Sequence, residues 1–155
     1  MATIENAETT KPGHKTEDIR GPQINYFIGM AYEALGKKSL AKSYFRLSVD
    51  QSVKETNYIR YYQGLSYLKL GNKEKASEYF NSLITEGDKR INQGSQVDFF
   101  AKFGEREAEN VQMSNAYLLK GLGYKGLGDI NAATENLKKA VGLSASNLYA
   151  KVELN

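Results

Sequence analysis

The chain has no cysteine, no tryptophan, a single histidine and only two prolines. Without cysteine there are no disulfides, no thiolate metal sites and no cysteine nucleophile. His14 stands alone in the polar stretch "TTKPGHKTED", so no second histidine can share a metal with it and no serine or threonine has a base to activate it. Charge of one sign is scarce too. The 21 basic and 18 acidic residues leave a net +3, spread evenly, which argues against a nucleic-acid partner. No apolar run reaches the roughly 18 residues that would read as a membrane span. The start "MATIENAETT" lacks the basic-then-apolar layout of a signal peptide. It reads as a mid-chain segment given a start codon, so a piece of a larger protein is expected. Lack of cysteine suits either the cytoplasm or the periplasm.

What remains is a soluble, globular composition, 41% hydrophobic and 25% charged over 155 residues, enough for one domain with a core. Its most conspicuous motif is "GLGYKG", residues 121–126, which matches the G-x-G-x-x-G phosphate-cradling fingerprint. That fingerprint requires a preceding strand, a following helix and an acidic residue about 20 positions later. Here "NAYLLK" continues a helical pattern into the glycines, and "VGLSASN" offers no carboxylate downstream.

Self-similarity explains the glycines better. The stretches "NYFIGMAYEALGKKSLAKSYFRLSV", "RYYQGLSYLKLGNKEKASEYFNSLI" and "YLLKGLGYKGLGDINAATENLKKAV" align without a gap. Gly29, Tyr32, Gly36, Ala41 and Phe45 recur as Gly64, Tyr67, Gly71, Ala76 and Phe80, then as Gly121, Tyr124, Gly128, Ala133 and Leu137. At the three glycine positions of "GLGYKG" the sister copies read Gly29, Ala31, Ala34 and Gly64, Ser66, Lys69, so only the first glycine belongs to the repeat. Each copy predicts a helix of about 13 residues, a short turn and a second helix of similar length. A glycine inside the first helix costs about 1 kcal/mol relative to alanine, which is sensible where two helices approach closely. Ala41, Ala76 and Ala133 are expected to face these glycines. Gly36, Gly71 and Gly128 suit left-handed C-terminal caps. Asn72 and Asp129 suit N-caps, whereas the first copy has Lys37 there.

This pattern resembles the tetratricopeptide repeat over about two-thirds of the chain. It departs from the family at the early tryptophan, replaced by Asn25, Arg60 and Tyr117, and at the closing proline, absent throughout. Leu83 stands where alanine is usual and where the other copies have Ser48 and Ala140. The expected fold is all-α, an α-solenoid of three helix pairs plus a C-terminal capping helix, with an insertion before the third pair. Residues 1–21 form an irregular segment and 22–155 the repeat domain. The repeats span about 22–53, 57–91 and 106–143, the insertion about 86–113 and the cap about 146–154. The order of "KPGHK", the repeat pair, "VDFFAKF" and the third copy is also similar to the C-terminal repeat region of large bacterial proteins that carry a mutarotase-like β-sandwich of unknown function. That resemblance implies a carbohydrate-related parent protein.

The resemblance also implies a concave face built by the first helix of each pair. By register it carries Gln23, Tyr26, Met30 and Glu33, then Tyr58, Tyr61, Leu65 and Lys69, then Asn115, Leu118, Leu122 and Lys125. Tyrosine, methionine and leucine facing water suggest a contact that buries them, although tyrosines also tolerate partial exposure. The lysine–asparagine clamp of chaperone-binding relatives is replaced by Tyr26 and Met30, so an apolar segment or a neighbouring domain is expected instead of a terminal carboxylate. In the insertion, Phe99, Phe100 and Phe103 either fold back on the helices or form a docking cluster. No catalytic, cofactor or metal residue is expected, and Glu105, Glu107 and Glu109 alternate around a helix without converging. The function expected is binding, to a protein or to another domain of the same polypeptide. Homodimerisation through the insertion or the groove is the alternative.

Overall fold

A computed structural model describes residues 19–94 and 103–155. Among these residues every regular element is a helix: α1 (Gly21–Ala34), α2 (Lys38–Asp50), α3 (Ile59–Lys69), α4 (Lys73–Gly94), α5 (Phe103–Leu127), α6 (Ile130–Leu143) and α7 (Leu148–Leu154). They form antiparallel pairs α1/α2, α3/α4 and α5/α6, with α7 packed on the last pair. The first helices of successive pairs also pack on one another, α1 on α3 and α3 on α5, whereas α2, α4 and α6 do not. The array therefore curves with α1, α3 and α5 on its inner side.

Each helix-to-helix turn is set by the same local chemistry. Gly36, Gly71 and Gly128 have φ of +75°, +81° and +85°, which glycine adopts without the Cβ penalty. The next residue's N–H then reaches back to the repeat tyrosine: Lys37 to the Tyr32 carbonyl at 2.9 Å, Asn72 to Tyr67 at 2.9 Å, Asp129 to Tyr124 at 3.0 Å. This six-to-one bond is the Schellman closure. The Asn72 Oδ1 accepts from the Lys75 N–H and the Asp129 Oδ1 from the Ala132 N–H, each at 3.0 Å, while α2 starts without a side-chain cap. Asn57 and Asn147 add side-chain acceptors at the starts of α3 and α7.

Within each pair the helical glycine faces a large side chain rather than the expected alanine. A Cβ on Gly29 would lie 2.6 Å from the Phe45 ring, on Gly64 2.5 Å from the Phe80 ring, and on Gly121 2.6 Å from Leu137. The paired helices cross so that the knob one turn beyond the alanine enters the glycine gap, and Ala41, Ala76 and Ala133 are buried beside it. The other two glycines of "GLGYKG" serve α4 instead: Gly123 lies against the Phe80 carbonyl and Ile84, and Gly126 against the Phe80 ring. This permits the long α4–α5 hairpin, into which much of the inserted sequence is absorbed as helix. Lys120 and Asp88 pair across it at 2.7 Å. Between the first two pairs runs a buried polar network. Ser48 Oγ donates to the Pro22 carbonyl, Ser66 Oγ donates to Ser48 Oγ, and Gln63 Nε2 donates to the carbonyls of Ser48 and Gln51. Leu83 and Ala140, the counterparts of Ser48, are likewise fully buried.

Candidate functional site

The inner face is assembled from α1, α3 and α5, but it is not open along its whole length. Tyr61, Leu118 and Leu122 are only 6%, 4% and 3% exposed. These three, expected on a water-facing groove, instead belong to the core cluster with Tyr62, Phe80 and Leu137. The reason is that α7 folds into the inner side, its Ala150 and Leu154 packing with the same cluster.

Three contacts seat α7 there. The Tyr149 ring lies 4.5 Å, centroid to centroid, from the Tyr58 ring, and the two hydroxyls are 3.1 Å apart. Lys125 Nζ donates to the Glu153 carboxylate at 2.6 Å and to its carbonyl at 3.0 Å. Asn147 Nδ2 donates to Ser114 Oγ at 2.9 Å, and that hydroxyl donates onward to the Ala140 carbonyl. Tyr58 and Lys125 thus already have an intramolecular occupant. Asn115 stays exposed beside them, and Leu65 is half-buried.

Towards the first pair the face remains accessible. Tyr26 and Met30 are half-buried, Tyr26 packing 5.7 Å from the Tyr62 ring and 6.0 Å from Phe45. Gln23 hydrogen-bonds to Tyr62. Glu33 and Lys69 bridge α1 and α3 in an exposed ion pair at 2.6 Å, which by itself contributes little stability. Beside that pair lies a cavity of about 290 Å³ lined by Glu33, Lys38, Lys42, Phe45 and Lys69.

Tyrosines dominate the inner side, Tyr26 and Tyr58 half-buried at its surface and Tyr61 and Tyr62 buried beneath it. Burial pushes the hydroxyls of Tyr26, Tyr61 and Tyr62 above their ordinary value, and the Glu153 carboxylate across the groove raises all three further. Tyr58 is pushed up to about 12, first by burial and then by its hydrogen bond with Tyr149. All are neutral hydroxyls near neutral pH, able to donate and accept hydrogen bonds and to stack, and none is placed to act as a base.

Phe99 and Phe100 lie outside the described residues, as does His14; Phe103 is the first residue of α5. Among the described residues there is no group of three or more histidine or acidic side chains that could hold a metal ion, and no helix is long and apolar enough to cross a membrane. Sequence reasoning missed Tyr62 and Glu153. Asn147 before "LYAKVEL" is an N-cap signal that could have marked the start of α7, but nothing in the one-dimensional pattern pairs Glu153 with Lys125.

Tetratricopeptide-repeat family models match residues 22–52, 58–86 and 114–147. The chain belongs to the tetratricopeptide-repeat family. No curated protein and no solved structure matches it. The three matched segments coincide with the three helix pairs, and the unmatched residues 87–113 hold the end of α4 and the start of α5. Tetratricopeptide repeats generally mediate protein–protein interaction and are typically scaffolds without catalysis.

Proposed function

We propose that this tetratricopeptide-repeat chain is a binding scaffold whose inner face receives a short helical segment carrying an aromatic residue and a carboxylate. The single observation that carries this reading is the seating of α7. Its Tyr149 stacks on Tyr58 and its Glu153 meets Lys125, so the face displays the chemistry it accepts. The accessible stretch beyond α7 continues that chemistry, with Tyr26 and Met30 for apolar contact and Lys69, Lys38 and Lys42 around the neighbouring cavity for acidic groups. The partner is a protein or another domain of the same polypeptide. The resemblance to bacterial proteins with a mutarotase-like domain supports a carbohydrate-related parent as the source of that domain.

The test supplies the α7 segment in trans. The chain ended after Ser144 is checked for retained helicity and then titrated with a labelled peptide, "ASNLYAKVELN". Saturable binding that is weakened by Tyr58→Ala and by Lys125→Ala is expected. A folded, truncated chain that ignores the peptide would sink the reading.

A further inference from the structure

The chain has neither cysteine nor tryptophan but has eleven tyrosines. Its phenols are then the side chains that give up single electrons most readily, whereas methionine takes an oxygen atom from peroxide in a two-electron step. A tyrosine that loses one electron and its hydroxyl proton becomes a phenoxyl radical. The unpaired electron is shared between the oxygen and ring carbons, including the two beside the hydroxyl-bearing carbon. A second phenoxyl in ring contact converts the pair into a carbon–carbon bond, so the placing of tyrosine pairs decides where oxidation leaves a covalent mark.

Among the described residues Tyr58 and Tyr149 make the closest tyrosine pair. Their ring centroids are 4.5 Å apart, their planes are inclined by 33° and their hydroxyls are 3.1 Å apart. Overlapping phenols whose hydroxyls touch also bring together the ring carbons beside those hydroxyls, which are the carbons that couple. Other pairs are wider: 5.1 Å for Tyr67 with Tyr79, which meet edge to face, and 5.4 Å for Tyr32 with Tyr44. Tyr149 is 41% exposed and Tyr58 is half-buried. An oxidant at the surface therefore meets Tyr149 first and finds Tyr58 directly behind it.

We propose that Tyr58 and Tyr149 form an oxidative cross-linking site that staples α7 to the start of α3 across the inner face. The oxidant is hydrogen peroxide turned over by a peroxidase, which removes electrons singly. Each phenol gives up one electron and one proton. The two radicals join through the ring carbons beside their oxygens, and the hydrogens on those carbons pass through solvent to the oxygens, restoring both phenols. The chain loses two hydrogens in all, and one peroxide is reduced to two waters. The bond falls where it changes the fold most. α7 has seven residues, too few to stay helical unless packed, and contacts of this kind open locally. Positions 58 and 149 are 91 residues apart, so the link closes a long loop and constrains the unfolded chain. Its consequence for binding rests on the function proposed above: a tied α7 cannot vacate Tyr58, so oxidation closes that part of the groove. The link itself does not depend on that reading.

The experiment treats the dilute full chain with a peroxidase and limiting hydrogen peroxide, then reads dityrosine fluorescence and maps the link by mass spectrometry of the digested product. A monomeric product lacking two hydrogens is expected, with the Tyr58 peptide joined to the Tyr149 peptide and a higher melting midpoint than the untreated chain. Tyr58→Phe and Tyr149→Phe each keep a ring in the stack but have no hydroxyl to oxidise. Either change should abolish the intramolecular product, and Tyr79→Phe should leave its yield unchanged. Circular dichroism confirms that each variant keeps its helices. Cross-links formed only between copies, a link mapped to another tyrosine pair, or a yield that survives both Tyr58→Phe and Tyr149→Phe overturns the proposal. Failure of the binding reading shows separately, as a truncated chain that ignores the α7 peptide while the full chain still forms this link.

Discussion

Gly64→Ala tests whether the helix pairs are held by the close approach described above. In an unhindered helix interior the change stabilises by about 1 kcal/mol. At Gly64 the new Cβ would lie 2.5 Å from Phe80 Cε1, 2.9 Å from Cζ and 3.0 Å from Cδ1. Ordinary contact begins at 3.4 Å, so the ring must retreat by nearly 1 Å. It has nowhere to go: Phe80 is 1% exposed, Gly126 of α5 closes on the same ring, and the Tyr61 ring lies 5.9 Å away. Overpacking of this kind costs about 1–3 kcal/mol, and a ring wedged between three helices belongs near the top of that range. After the propensity gain, the net loss is about 1–2 kcal/mol, or roughly 3–6 °C in Tm. Gly142→Ala is the control, since a Cβ there meets nothing within 4 Å; it should leave stability unchanged or raise it by up to about 1 kcal/mol. Urea unfolding of the two variants and of Gly64→Ala/Phe80→Leu gives the comparison. The double variant should lose less than the sum of its parts, because leucine vacates part of the clash. If Gly64→Ala stabilised the chain as much as Gly142→Ala does, the close-approach explanation of the repeat glycine would be refuted.

The caps give a second prediction. Asp129→Ala should cost about 1 kcal/mol by removing the acceptor for the Ala132 N–H, and Lys37→Asp should add a similar amount by giving α2 the cap it lacks; unequal signs in urea midpoints would confirm this, and equal signs would contradict it. A third concerns alkaline pH. The folded chain holds the hydroxyls of Tyr26, Tyr58, Tyr61 and Tyr62 above the ordinary value of 10.0. It therefore keeps protons that the unfolded chain gives up. Their contribution is fully present below about pH 10 and is lost as pH rises through the folded values, about 12 for Tyr58. Melting midpoints should be flat up to that threshold and fall beyond it, and Tyr149→Phe should lower the Tyr58 pKa in an ultraviolet titration by removing its hydrogen-bond partner.

The elements were legible in the sequence because their signals are local. A glycine at the left-handed cap, an asparagine or aspartate at the next helix start, and a tyrosine whose carbonyl closes the turn all act within six residues. Recurrence of that set fixed the three pairs and dissolved the nucleotide reading of "GLGYKG". Residue spacing also placed Tyr26, Tyr58 and Lys125 on the inner side. It could not say which inner residues meet water, because that depends on curvature and on what packs across the groove. Periodicity points to alanines opposite the repeat glycines, whereas Phe45, Phe80 and Leu137 fill those gaps, because the crossing geometry of two helices decides which knob enters.

The sequence by itself determined the helices, their caps, their pairing and the all-α repeat class, since each follows from backbone preferences and apolar periodicity over a few turns. Only the tertiary structure decided that α7 turns into the inner face and that Tyr61, Leu118 and Leu122 are core. Those outcomes arise from contacts such as Tyr58 with Tyr149 and Lys125 with Glu153, between residues distant along the chain. Such pairings are set by how the helix pairs stack, and no local periodicity encodes that.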